Sequence, residues 1–179
     1  MKSKFILSGL ILSTSFFTNV ASVNGQPADI FKPIIDDLQK QLPLGSSMRL
    51  PSYIPTADTP LYPFVETDKG GVKVNIGIRP DCKSSQNYQL CVIGAIAALT
   101  PKAKFPPKGV KLKSINLDNG IEGLFFTYGS GETQVSYITW EQNKQKFAIA
   151  VLSEIASQEE LTKIAKSATV EKPITSVSQ

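Results

Sequence analysis

Histidine is absent from this 179-residue chain, and that absence removes more functions than any other feature of the composition. Without histidine there are none of the usual Ser/His or Cys/His nucleophile pairs. The imidazole ligands that hold zinc, copper and non-haem iron in many proteins are missing as well. Two cysteines are too few to complete a tetrahedral thiolate site. We therefore predict no catalytic residue, no metal site and no cofactor.

Long apolar runs are also scarce, and the most extended one stands at the amino terminus. Lys2 and Lys4 precede a mostly apolar stretch at residues 5–17, and Val23, Asn24 and Gly25 offer small or permissive residues for cleavage. This layout is typical of a secretory signal peptide, and the stretch is shorter than the ~20 apolar residues of a membrane span. We therefore predict a cleavable signal peptide at residues 1–25, a periplasmic or extracellular product and no stable membrane span.

Removal of residues 1–25 leaves 154 residues, which is enough for one domain with its own core. The formal net charge falls from +4 to +2 when Lys2 and Lys4 are lost. A positive charge this small argues against general nucleic-acid binding. We predict one exported domain at residues 26–170, followed by a flexible polar tail at residues 171–179.

The two cysteines, Cys82 and Cys91, have eight residues between them. An even number of cysteines in an exported chain favours a disulfide. The alternative is a redox-active pair of free thiols, but such pairs usually have C-x-x-C spacing. We predict a structural disulfide that closes a loop of about ten residues and stabilises the fold by ~2.5–3 kcal/mol.

Apolar periodicity predicts a helix near each end of the domain. Residues 30–42 carry Ile and Leu at helical spacing, and Pro33 is tolerable there only near the first turn. Ser157 and Glu160 form a capping box at the start of an apolar stripe over residues 158–168. Five prolines within residues 43–64 predict an extended segment after the first helix.

Between the two helices, alternation of apolar and polar residues predicts an antiparallel sheet. Strands are expected at residues 49–54, 61–66, 72–79, 110–117, 121–128, 133–141 and 146–152. Residues 88–99 are apolar and rich in alanine, and their pattern fits either a strand or a short helix. The chain is thus predicted to be an α+β domain, with one antiparallel β-sheet of about six or seven strands and both helices packed on one of its faces.

Three sequence motifs resemble those of a known group of domains. They are C-V-I-G at residues 91–94 after Cys82, L-D-N-G-I-E-G at 117–123, and W-E-Q-N at 140–143 followed by E-E-L-T-K-I-A-K-S at 159–167. The chain resembles exported bacterial domains of unknown function, found alone or in the extracytoplasmic part of anti-sigma-factor-like and sporulation-related proteins. The resemblance implies a non-catalytic exported module and supplies no catalytic residues.

Lysines are concentrated in one segment without acidic residues. They are Lys102, Lys104, Lys108, Lys111 and Lys113. One interpretation is a contact surface for an anionic partner, such as a phosphate-bearing lipid head group, an acidic glycan or an acidic protein. The other is a solvated loop whose lysines protect a sheet edge from pairing with another chain.

Aromatic residues on neighbouring predicted strands form the second candidate site. Tyr128, Tyr137 and Trp140 could line a groove for an apolar or sugar ligand, although core packing is the commoner use of aromatic residues at strand spacing. No two carboxylates are spaced as a hydrolytic pair.

The sequence favours a non-catalytic exported binding or accessory module, whose partner is an unknown protein or small ligand of the cell envelope. Two other functions stay open. One is a cell-wall or glycan hydrolase with carboxylates that the sequence does not identify. The other is an envelope-stress or assembly accessory that acts through protein contacts.

Overall fold

Seven strands form one antiparallel sheet in the computed structural model, which describes residues 25–55 and 59–177. In chain order the strands are β1 (Ser47–Met48), β2 (Tyr62–Asp68), β3 (Gly71–Gly77), β4 (Val92–Leu99), β5 (Lys113–Asn116), β6 (Glu122–Tyr128), β7 (Val135–Gln142), β8 (Gln145–Leu152) and β9 (Ile174–Thr175). The large sheet has the order β2-β3-β4-β8-β7-β6-β5, and β1 pairs with β9 separately. The predicted α+β domain with a sheet of six or seven strands is confirmed. The predicted signal peptide lies outside the described residues, apart from Gly25.

Short turns join β2 to β3, β5 to β6 and β7 to β8. Asp118 and Asn119 have positive φ angles of 70° and 49°, and Asn143 and Lys144 have 54° and 62°. Asparagine and aspartate tolerate this left-handed region better than most residues, which is why such turns can form here. The segment whose type the sequence left open is a short 3-10 helix, Tyr88–Leu90, followed by strand β4. Strand β4 lies between β3 and β8, and its Ile96 packs at the centre of the sheet.

The helix predicted at residues 30–42 is divided in two. Its first part is a 3-10 helix, Asp29–Ile34, and its second part is the α-helix α1, Ile35–Gln41. Pro33 lies inside the 3-10 part, and because proline has no N–H it cannot donate the bond that an α-helix interior needs. Phe31 and Leu38 are nevertheless completely buried, as the helical spacing requires.

The second helix, α2 (Gln158–Val170), begins at the predicted cap. The Glu160 amide donates to the Ser157 hydroxyl over 3.2 Å. The Glu160 carboxylate does not complete a capping box, because its oxygens accept from the Tyr53 hydroxyl at 2.8 Å and from Lys163 at 2.9 Å. The cap is therefore one-sided, and Glu160 ties α2 to residue 53 instead.

One buried cluster combines both helices with one face of the sheet. A single row across five strands pairs Val65, Val74, Ile96, Ile149 and Ile138, all of which are buried. Side chains from the helical segments that enter the same cluster are Phe31, Ile34, Leu38, Leu161, Ile164, Ala165 and Ala168. This face of the sheet is the core of the domain, and we call it the helix face.

The domain boundary predicted at residue 170 is wrong. Glu171 is completely buried, and Ile174 and Thr175 pair with Met48 and Ser47. Arg49 donates to the carbonyls of Thr169 and Glu171, which are left without helical partners at the end of α2. The packed part of the chain therefore reaches at least Thr175. The predicted strand at residues 49–54 is replaced by the short strand β1, which ends at Met48.

Among the residues that the structure describes, no helix has both the length and the apolar character that crossing a bilayer requires.

Candidate functional site

The sheet face opposite the helix face has an unusually small set of side chains at its centre. Ala95 pairs with Ala150, and Ala97 pairs with Ala148, so that four alanines form a two-by-two block on strands β4 and β8. Alternate residues of a strand point to opposite faces, and the intervening Ile96 and Ile149 belong to the helix face. Because alanine fills so little volume, the block forms the floor of a groove that runs along the strands.

This groove, which we call the alanine groove, has a volume of about 850 Å³. That volume lies in the range of small-molecule sites. Besides the four alanines, its lining is mostly apolar or aromatic: Tyr88, Leu90, Val92, Leu99, Phe105, Val135, Tyr137 and Leu152. Its polar lining residues are Lys73, Asn75, Glu132, Thr133 and Glu154. The arrangement suits an apolar molecule that makes a few polar contacts at the edges.

The first wall of the groove is held by a hydrogen-bond network around Glu66 on β2. The Tyr88 hydroxyl donates to Glu66 Oε2 over 2.7 Å, and Asn75 Nδ2 donates to the same oxygen over 2.8 Å. Lys73 Nζ lies 3.4 Å from Glu66 and 3.3 Å from Asp68. The hydrogen bond from Tyr88, followed by those from Asn75 and Lys73, holds the pKa of Glu66 below its usual value, against the opposing effect of burial. Glu66 therefore stays ionised and fixes the Tyr88 ring.

The Tyr88 ring also packs edge-on against Phe64, with 6.0 Å between the ring centroids. Burial, followed by the bond to Glu66, raises the pKa of the Tyr88 hydroxyl well above its usual value. The hydroxyl thus remains a hydrogen-bond donor at any ordinary pH. Two residues further along the chain, Leu90 is 81% exposed at the edge of the groove, where it adds apolar surface.

The predicted disulfide is present and closes the loop that carries this wall. Cys82 and Cys91 are bonded, with their Cα atoms 5.6 Å apart, and Tyr88 and Leu90 lie between them. The Ile78 amide donates to the Cys91 carbonyl over 3.1 Å, which ties the end of the loop to the residue after β3. A side chain at Gly77 would meet the Cys82 sulfur at 2.5 Å, so the loop packs directly on the strand backbone. The disulfide therefore positions the first wall.

The second wall is a cluster of three aromatic rings. Phe126 and Tyr137 stack with their centroids 4.9 Å apart and their planes at 6°. Phe105 packs on both, at 5.4 Å from Phe126 and 5.6 Å from Tyr137. Phe105 belongs to the loop between β4 and β5, and its carbonyl accepts from Lys146 Nζ at 3.5 Å. This loop is the one in which the lysines are concentrated.

The three predicted groove aromatics do not lie together. Tyr137 lines the groove, and Tyr128 lies on the same face of the sheet, 57% exposed, opposite Val135. Trp140 is on the helix face, only 3% exposed and stacked on Phe147 at 5.4 Å. Trp140 and Tyr137 are three residues apart on one strand, and an odd separation places side chains on opposite faces. Trp140 is therefore a core residue, and its inclusion in the groove was wrong.

The five predicted contact lysines are all exposed. Lys102, Lys104 and Lys108 are in the loop of Phe105, Lys111 follows them, and Lys113 begins β5 and donates to Gln158 over 3.1 Å on the helix side. Within residues 25–55 and 59–177, none of the five is within ion-pair distance of a carboxylate. The loop thus places positive charge at the end of the groove marked by Leu99 and Lys146.

The opposite end of the groove is acidic. Glu132 and Glu154 line it, near Val92, Val135 and Leu152. Both side chains are exposed. Within the described part of the chain, no three His, Cys, Asp or Glu side chains converge in a way that could hold a metal ion.

Sequence reasoning missed the alanine block, Tyr88, Glu66 and Phe105. The signal for the block was nonetheless present, because Ala95 and Ala97, like Ala148 and Ala150, alternate with larger residues at strand spacing. Two such stretches become a groove floor only when they pair in register, and pairing between β4 and β8 crosses more than 40 residues of chain. Phe105 lies in a loop and Tyr88 in a 3-10 helix of three residues, and neither segment is long enough to show a periodicity.

Comparison with protein-family models, with curated proteins and with solved structures gives no match. The groove geometry and the charge distribution around it are therefore the observations on which a function can be argued.

Proposed function

We propose that this protein is a non-catalytic exported binding module, which holds an elongated apolar ligand with an anionic head group in the alanine groove. The observation that carries the proposal is the two-by-two block of alanines between two aromatic walls. If the sheet had only to cover the core, β-branched or aromatic residues at these central positions would stabilise it more than alanine does. Four alanines leave an apolar trough instead.

The shape of the groove favours a long, narrow ligand. Its floor follows β4 and β8, and a strand of eight residues such as β4 spans about 25 Å. The two walls restrict the width to the alanine columns. An extended acyl or isoprenoid chain fits such a trough, whereas a sugar would leave most of its hydroxyl groups without partners against the alanine floor.

The charges favour an anionic head group at the basic end. Lys73 is already balanced by Glu66 and Asp68, so the positive charge that remains available belongs to the loop with Lys102, Lys104 and Lys108. Glu132 and Glu154 at the other end would repel an anion there. The ligand would therefore lie with its head at the basic loop and its tail toward Leu152.

Export is part of the proposal. The disulfide is the kind of covalent link that persists in an oxidising compartment, and here it positions a groove wall rather than a remote loop. Together with the predicted signal peptide it supports a function outside the cytoplasm. The resemblance to extracytoplasmic domains of anti-sigma-factor-like proteins stays a prediction, as do the hydrolase and assembly alternatives.

The proposal is tested with cis-parinaric acid, a fluorescent long-chain fatty acid, and with oleyl alcohol, a non-fluorescent fatty alcohol of the same chain length, as the competitor. The variant Ala97→Leu/Ala150→Leu fills the groove floor, and Thr127→Leu is the control, because it adds a similar side chain on an exposed position of the other face. We expect the double variant to bind the acid at least tenfold more weakly while Thr127→Leu binds normally. We also expect the acid to bind more tightly than the alcohol at low salt, with the difference shrinking at high salt.

Three results would contradict the proposal. Absence of saturable binding to the native protein would remove the ligand-binding function. Equal affinity for acid and alcohol would remove the anionic head group. Cleavage of an acyl ester or glycan by the native protein, lost in Glu132→Gln/Glu154→Gln, would establish the hydrolase alternative instead.

A further inference from the structure

Glu171 is an unusual charged group. Its side chain is completely buried at the end of α2, and neither carboxylate oxygen has a hydrogen-bond partner among the described residues. A buried carboxylate without donors is costly, since the lost hydration is replaced by nothing. A hydrogen-bond donor from elsewhere in the chain would account for the burial of this carboxylate.

Arg49 does not supply that donor. Its guanidinium is also buried and donates to the backbone carbonyls of Thr169 and Glu171, where it satisfies the end of α2. Burial lowers the pKa of Arg49, and the negative charge of Glu171 partly offsets that effect. Arg49 is therefore close enough to Glu171 for the two charges to interact, but its Nη1 donates to backbone carbonyls, and none of its N–H groups donates to the Glu171 carboxylate.

The start of the predicted mature chain lies next to Glu171. A Cβ placed on Gly25 would lie 3.5 Å from Glu171 Oε2 and 3.8 Å from the Lys172 amide nitrogen. The Gly25 nitrogen, which is bonded to that Cα, lies about 2.5 Å from the Cβ position, and the Gln26 nitrogen, three bonds from it, lies about 3–4 Å away. The Gly25 nitrogen is therefore within about 6 Å of the Glu171 carboxylate and the Gln26 nitrogen within about 7 Å.

The segment that follows is fixed in place. The Ala28 amide donates to the Pro51 carbonyl over 2.9 Å, and Phe31 is completely buried in the core. Residues 25 and 26 are thus held close to a fixed point of the chain at Ala28.

We propose that Glu171 is the acceptor for the α-ammonium group that signal-peptide cleavage creates at Gly25 or Gln26, so that processing completes the fold at this corner. Hydrolysis of the peptide bond replaces one amide N–H with an ammonium group that carries three donors and a positive charge. An uncleaved chain can offer only the single amide. The inference rests on the export part of the proposed function and is independent of the ligand.

Few other charges face this pair. Arg49 approaches from the segment after β1, and Lys172 follows Glu171 with its side chain exposed. Asp29, on the neighbouring 3-10 helix, is exposed and paired with Lys32 at 2.9 Å. Of these groups only Arg49 is buried, and it makes no hydrogen bond to the Glu171 carboxylate, so the carboxylate can accept directly from the new terminus.

The test compares the exported protein, whose first residue is identified by mass, with the same protein after its α-amine has been acetylated in the unfolded state and the chain refolded. Acetylation near pH 6.5 favours the α-amine over lysine because of its lower pKa. We expect acetylation to lower the Tm by about 5 °C or more in the native sequence and to have no effect in Glu171→Gln. The signal-retaining full chain should behave like the acetylated protein.

Titration of the α-amine gives a second readout. Its result would stay ordinary if Glu171 had only a structural role. An unperturbed α-amine has a pKa of about 7.7–8.0, and an ion pair with Glu171 should raise it by at least about one unit. The stabilisation is then fully present below pH ~8 and is lost as the pH rises through the higher folded-state pKa. In Glu171→Gln the α-amine should titrate at its ordinary value.

Several outcomes would overturn the inference. They are a first residue other than Gly25 or Gln26, an amino terminus cyclised to pyroglutamate, an ordinary α-amine pKa in the native protein, or equal effects of acetylation in the native protein and in Glu171→Gln. None of these bears on fatty-acid binding in the alanine groove, so failure here is distinguishable from failure of the proposed function.

Discussion

The two faces of the sheet use the same strands in opposite ways. On β4 and β8 the helix face carries Ile96, Phe147 and Ile149, all of them buried under the helices. The opposite face of those strands carries alanine at every central position. Large aliphatic side chains give a face that packs and stabilises, whereas small ones give a face that leaves room. The contrast indicates that packing stability is concentrated on one side, and under the proposed function binding belongs to the other.

Shortening one side chain on each face of strand β8 should give the largest difference in unfolding free energy between the two faces. Ile149→Ala removes a buried side chain from the helix face, and we expect it to cost about 2–5 kcal/mol of unfolding free energy. Leu152→Ala, on the groove side of the same strand, should cost about 1 kcal/mol or less, because Leu152 is only partly buried. Urea denaturation of both variants measures the difference. Equal costs would mean that the groove side is also a packed core.

Reduction of the disulfide should have the next largest effect. Loss of the link between Cys82 and Cys91 should lower stability by ~2.5–3 kcal/mol and the Tm by roughly 5–10 °C. It should also weaken fatty-acid binding, since Tyr88 and Leu90 lie in the released loop. Thermal unfolding with and without reductant tests this, and Cys82→Ala/Cys91→Ala is the control that should not respond. An unchanged Tm, or two thiols titrating without reductant, would contradict a structural role.

The difference between the faces also explains what could be predicted from the sequence. The helix face follows from periodicity, because apolar residues at every second position, such as Val72, Val74 and Ile76, mark one side of a strand whatever its partners are. The split of the first helix follows from Pro33 only once the 3-10 part is seen, since a proline near a helix start fits either helix type. The disulfide followed from cysteine number and export alone.

The groove could not be predicted in the same way, because it depends on pairing and on loops. Ala97 and Ala148 are ordinary residues until the register places them opposite each other. Tyr88 and Glu66 are joined across 22 residues of chain by one hydrogen bond. Trp140 shows the reverse error: its type suggested a ligand contact, but its odd separation from Tyr137 already placed it on the other face. Glu171 was assigned to a tail because the polar composition around it hides its buried position.

The groove wall should also be distinguishable by its pH dependence. Because the pKa of Glu66 is lowered in the fold, its contribution to stability is present above the ordinary value of 4.5 and is lost as the pH falls through the folded-state pKa. Tyr88→Phe removes the largest cause, so the Glu66 pKa should rise toward its ordinary value and the acid sensitivity should shrink. Carboxyl titration by NMR measures the shift.

Tyr53→Phe is the matched control for this wall. It removes the hydrogen bond from another tyrosine to another glutamate, Glu160, which lies on α2 away from the groove. We expect the Glu66 titration to stay as in the native protein. If Tyr53→Phe and Tyr88→Phe changed Glu66 alike, the network around Glu66 would not be the cause of its lowered pKa.

The basic loop should give the smallest effect on stability and, under the proposed function, a clear effect on binding. Lys104→Glu/Lys108→Glu reverses two exposed charges that have no ion-pair partner in the described part of the chain, so stability should change by no more than about 0.5 kcal/mol. Affinity for the anionic probe should fall about tenfold at low salt, while affinity for the fatty alcohol should not change. Lys32→Glu/Lys40→Glu alters the net charge equally on the helix side and should leave both affinities unchanged. A fall of the same size in this control would mean that overall charge, rather than the loop beside Phe105, attracts the anion, and failure of the loop variant to fold would show that these lysines belong to the structure of the domain.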